Sequence, residues 1–160
     1  MKLLFKQRIF SWFDSYDIYD EDGNTVFVVK GQLAWGHKLK IYDAQGREVG
    51  LVREKILTFL PAFELYENGK YIGRIKKKLT LFSPGFDIDF NGWQVDGNLL
   101  EWDYTIRDAQ GEWVATVSKE LFHFSDTYVL EIGDPQNALY VLMFALAMDA
   151  EKCSREKREK

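Results

Sequence analysis

Lys70, Arg74, Lys76, Lys77 and Lys78 form the densest basic cluster of the chain. In an extended strand Arg74, Lys76 and Lys78 fall on one side, spaced about 6.7 Å apart. Cations in such a row suit phosphate groups, and each adds roughly 1 kcal/mol of attraction near an anionic membrane. The competing reading is a solvated outer face, or a strand edge guarded by lysines against aggregation. Lys70, Arg74, Lys76 and Lys78 are therefore the candidate anion or lipid-headgroup site.

Other constellations carry less chemistry. Asp87-x-Asp89-x-Asn91-Gly92 opens like a calcium-binding loop, but its twelfth position is Asn98 where a bidentate Glu is needed. The acids also alternate with Ile88 and Phe90, as on the wet face of a strand. His37 and His123 are the only histidines, too few for a metal centre unless carboxylates complete it. His37 is expected in a turn after Trp35-Gly36, and His123 on a strand face. His123-Phe124-Ser125-Asp126 sets His, Ser and Asp side by side, yet triads are assembled in space and no Gly-x-Ser-x-Gly elbow is present. No glycine-rich phosphate loop precedes a helix. Cys153 is the sole cysteine, so an internal disulfide and a thiolate zinc site are both excluded. The neighbouring Lys152 and Arg155 would lower the pKa of its thiol, though a bystander role is the default. No catalytic residue, metal or cofactor is predicted.

The elements that must position these residues are mostly strands. Polar turns ending in Gly23, Gly46, Gly69 and Gly111 each lead into an apolar alternation and then a base. Asp or Asn followed by Gly supplies the positive φ that tight hairpins need. Lys38-Leu39-Lys40-Ile41-Tyr42 and Trp102-Asp103-Tyr104-Thr105-Ile106 alternate with period two. Near the end, Asp134 caps and Pro135 opens a helix that runs through eleven unbroken apolar residues, Ala138 to Met148. A helix apolar on every side must be enclosed by protein or lipid. Eleven residues span roughly 16 Å, far short of the roughly 30 Å of a bilayer core. A closed antiparallel barrel removes exposed edges and leaves a lumen for such a helix. The fold class predicted is thus mainly β, a closed antiparallel barrel around a central helix over Pro135–Met148.

Bulk properties narrow the partners. The chain has 160 residues, 16% of them aromatic, and a formal charge of −4. That charge predicts no nucleic-acid binding, and the five tryptophans are read as packing rather than base-stacking platforms. Lys2, Lys6 and Arg8 beside Phe5, Phe10, Trp12 and Phe13 read as a first strand, with an interfacial anchor as the alternative; they lack the apolar core of a secretory signal. No transmembrane segment is expected. One domain over 1–152 and a charged tail over 153–160, whose run Ser154 to Lys160 reads as a solvated helix end or a disordered tail, complete the reading.

The order of several elements also resembles a known family. They are the serial Asp-x-x-Gly hairpins, Val95-Asp96-Gly97-Asn98, Ile106-Arg107-Asp108-Ala109-Gln110-Gly111, Val117-Ser118-Lys119-Glu120 and the closing Asp134-x-x-x-Ala138-Leu139 helix with Met148-Asp149. Together they resemble the LURP-one-related family, including its small bacterial members, and more distantly the phospholipid scramblases and the tubby C-terminal domain. The resemblance implies a tubby-like closed barrel of about twelve strands around a buried C-terminal helix. It carries over no catalytic residue. The expected function is a non-enzymatic binding or scaffold protein of the cytoplasm, reading anionic phospholipid headgroups at the membrane surface. The alternative is a soluble protein–protein interaction module that never touches lipid.

Overall fold

The computed structural model describes residues 1–6, 15–32, 34–79, 85–122 and 125–158. Twelve strands precede one long helix: β1 (Lys2–Lys6), β2 (Ser15–Tyr19), β3 (Thr25–Gln32), β4 (Lys38–Asp43), β5 (Glu48–Lys55), β6 (Ala62–Glu67), β7 (Lys70–Lys78), β8 (Gly85–Asp89), β9 (Gln94–Asn98), β10 (Asp103–Arg107), β11 (Trp113–Phe122), β12 (Ser125–Ile132) and α1 (Ala138–Arg158).

The local cause of the hairpins is a repeated hydrogen-bonding unit. The Asp20 carboxylate accepts from the backbone N–H groups of Asp22 and Asn24, at 3.0 and 2.8 Å. Asp43 accepts in the same way from Gln45 and Arg47, and Asp108 from Gln110 and Glu112. In each unit the glycine N–H returns to the aspartate carbonyl. Asn68-Gly69 and Asn91-Gly92 instead place both residues at positive φ, the mirror-image turn that matches strand twist.

All pairings are antiparallel, in the order β8-β7-β6-β5-β4-β3-β2-β1-β12-β11-β10-β9. The first strand pairs the last, Leu3 lying opposite Leu130. Among the described residues no ladder joins β8 to β9, so the barrel is nearly closed, with a seam between those strands. Every residue from Val141 to Met148 is buried, because inward side chains such as Phe5, Ile18, Ile41, Leu65 and Ile75 surround the helix. The apolar run thus finds its enclosure in protein.

The helix differs from the sequence expectation at its start, and at its end it takes up the charged run as a helix end. Asp134 accepts from the Gln136 N–H, but Pro135–Asn137 form a 3₁₀ turn and the α-helix starts at Ala138. It continues through the charged run to Arg158, since Glu, Lys and Arg favour helix and Glu151 is tied to β7 by Lys77. No described helix is long and apolar enough to cross a membrane.

The two ends of the barrel differ in chemistry. At one end lie the Asp20, Asp43, Asn68, Asn91 and Asp108 turns and the start of α1. At the other lie the described parts of the connections after β3, β5, β7 and β9 (residues 34–37, 56–61, 79 and 99–102) and the C-terminal half of α1. These connections are longer and more apolar than a hairpin needs, as in Ile56-Leu57-Thr58-Phe59-Leu60-Pro61.

Candidate functional site

Strand β7 presents two faces. Gly73 and Ile75 are buried, while Arg74, Lys76 and Lys78 are exposed along the outer surface. Gly73 is required here, because a Cβ would run into the Asp89 carbonyl and Phe90. The β6–β7 register shifts between Leu65 and Tyr66, so Lys70 at the hairpin falls outside the alternation of the other three. The structure thus brings together Arg74, Lys76 and Lys78 and leaves Lys70 exposed at the tip. Lys77 takes the inward alternation. Its Nζ lies 2.7 Å from Glu151 Oε1, and Glu151 is fully buried in α1.

Both flanks of the row carry acids. On β8, Asp89 stands opposite Arg74 and Asp87 opposite Lys76. Arg74 Nε lies 3.9 Å from Asp89 Oδ2, and Lys78 Nζ lies 3.2 Å from Asp87 Oδ1. The calcium-loop pattern is therefore a strand followed by a tight turn, with its acids facing the lysine row. Lys76 makes no ion pair among the described residues. In the sequence these acids and the bases belong to separate patterns. Their alternation with the same period on either side of Ser83-Pro84-Gly85 was the available signal of a facing pair of strands.

On the β6 side, Glu64 lies opposite Arg74 but is engaged elsewhere. Arg53 Nη2 approaches Glu64 Oε2 at 2.6 Å, the Tyr66 hydroxyl donates to the same oxygen at 2.7 Å, and Lys55 Nζ sits 3.1 Å from Oε1. Burial raises the Glu64 pKa, but these three donors outweigh it and bring it from 4.5 down to about 2.

His37 sits at the β4 entrance, in the turn after Trp35-Gly36. Its Nδ1 lies 2.6 Å from Glu54 Oε2 and 3.4 Å from Ser154 Oγ. Both contacts fall on one ring nitrogen, so the ring cannot pass a proton between Ser154 and Glu54 as a relay through its two nitrogens would. The trio instead joins β5 and the β3–β4 connection to the end of α1. Among the described residues no group of three His, Cys, Asp or Glu converges to hold a metal ion. Arg8, Phe10, Trp12, Phe13, His123 and Phe124 lie outside the described residues, as do the side chains of Lys6, Ser125 and Asp126.

Comparison with known proteins follows the same outline. A family model described as LURP-one-related matches residues 1–149. The uncharacterized protein YxjI of Bacillus subtilis (strain 168) is 29% identical over 150 residues, covering 93% of this chain and 92% of that protein. The X-ray structure of a protein from Arabidopsis thaliana superposes with a TM-score of 0.60 at 16% identity, covering 92% of this chain and 90% of that one. At that identity the likeness concerns the fold alone.

Proposed function

This chain belongs to the LURP-one-related family, and from that premise we propose a non-catalytic binding protein that reads anionic lipid headgroups at the cytoplasmic membrane surface. Arg74, Lys76 and Lys78 are the reading residues, while Lys70 stands at the other end of β7, beside the Asn68-Gly69 turn, and is not part of the row. The observation that carries the proposal is the exposed row of three cations on β7, whose middle member has no ion pair among the described residues. Asp87 and Asp89 do not block it. Exposed pairs of this kind contribute about 0–1 kcal/mol, so a phosphate can displace them. Glu64 does not compete either, being held by Arg53, Tyr66 and Lys55.

A second reading, a protein-interaction module with no lipid contact, draws on the exposed apolar side chains of the connections at one end of the barrel. Flotation with neutral, anionic and phosphoinositide-containing liposomes separates the two. The lipid reading expects salt-sensitive flotation with anionic vesicles only, lost in Lys76→Glu/Lys78→Glu. No flotation under any condition overturns it and leaves the protein-interaction reading.

A further inference from the structure

The end of the barrel that carries the long connections is paved with exposed apolar side chains. Trp35 is 89% exposed, Leu57 97%, Phe59 91% and Leu79 76%. Single exposed apolar residues are ordinary, but these four occupy three connections that the structure ties together. Glu54 on β5 binds the backbone and ring of His37, two residues after Trp35. A side chain at Gly36 would run into Ile56, next to Leu57. The Lys77 N–H donates to the Pro61 carbonyl at 2.9 Å, joining the connection that holds Phe59 to the strand end that leads into Leu79.

This sector has a charge as well as an apolar character. Lys38, Lys55, Lys76 and Lys78 stand at the strand ends that border it. The acids toward the same end are Glu54 and Asp87, which are held by His37 and Lys78, and Glu101 and Asp103 around the β9–β10 connection. The opposite end carries the acidic turns, with Asp20, Asp22, Asp43, Asp108, Glu112 and Asp134. The barrel is thus uneven along its axis: lysines border the apolar end, and the acids of the turns outnumber Arg47, Lys70 and Arg107 at the other.

We propose that Trp35, Leu57, Phe59 and Leu79 are an insertion rim that enters the interface of an anionic bilayer, so that the barrel stands on the membrane on its long-connection end. The proposal rests on the headgroup reading of β7 and deepens it, giving that site a second, apolar contact and the protein an orientation. Three things favour lipid over a protein partner. The apolar groups protrude from separate connections, tryptophan suits the membrane–water boundary, and lysines frame them where headgroup phosphates lie. In the proposed orientation the C-terminal end of β7, with Lys76 and Lys78, faces the headgroups, and the acidic turns point away from the anionic surface.

The test uses phosphatidylserine vesicles carrying bromine on the acyl chains, with tryptophan fluorescence and flotation read together. Wild type is expected to bind and to be quenched, and in Trp35→Phe the quenching, normalised to the vesicle-bound fraction, is expected to fall sharply. Leu57→Ser/Phe59→Ser is expected to weaken binding roughly tenfold or more at both low and physiological salt, since these side chains leave water on insertion. Circular dichroism checks that each variant is folded. Equal binding by the serine variant, together with no quenching of wild type, overturns the rim while the headgroup reading stands. Binding that survives Lys76→Glu/Lys78→Glu but is lost in Leu57→Ser/Phe59→Ser overturns the headgroup reading and keeps the rim. No binding by wild type overturns both and assigns the apolar end to a protein partner.

Discussion

Glu64 shows how much one side chain can hold. Three donors converge on its carboxylate, from β5 and from β6 itself, and depress its pKa to about 2. A carboxyl whose pKa is lower in the folded than in the unfolded chain stabilises the fold fully above the unfolded value. That contribution is lost as pH falls from 4.5 through about 2. Glu64→Gln is expected to lower Tm at neutral pH and to flatten its decline across that acid window, as thermal melts at stepped pH would show. An unchanged slope would mean the network adds nothing to stability. The β7 row illustrates what a sequence can and cannot disclose at this scale. Alternation alone separates the outward Arg74, Lys76 and Lys78 from the inward Lys77. The displacement of Lys70 follows from a register shift opposite Gly73 and Tyr71, which no local composition announces.

At the scale of elements, the hairpins were legible because their causes are local: an aspartate side chain, a glycine and two backbone N–H groups within five residues. The apolar run of the helix was legible for a different reason, since a segment without a polar face must be enclosed. Its extension to Arg158 was only one of two readings of the charged run, because the pair that anchors it, Lys77 with Glu151, lies 74 residues apart in sequence. The seam between β8 and β9 and the framing of the lysines by Asp87 and Asp89 are likewise properties of assembled strands. Leu142 and Leu146 are fully buried within the lumen. Leu142→Asp or Leu146→Asp is expected to cost about 4 kcal/mol or more and to abolish folding, because the charge would find no water and no partner. A soluble double variant with native circular dichroism would show that the helix is not enclosed.

For the whole molecule, the pairing of the first strand with the last has a consequence in time. Lys2–Lys6 can find its partner in β12 only after more than a hundred residues have emerged from the ribosome, and the helix that fills the lumen emerges later still. Until then the growing chain is an unclosed run of hairpins whose inner faces have nothing to cover them. Pairings so distant in sequence are slow to form. Refolding from denaturant, followed by tryptophan fluorescence, is expected on a timescale of about milliseconds to seconds, and a single microsecond phase would contradict the topology. Nascent chains of this protein are therefore ordinary candidates for chaperone capture, and for as long as β12 is missing, the exposed strand edges are where two unfinished chains would join each other.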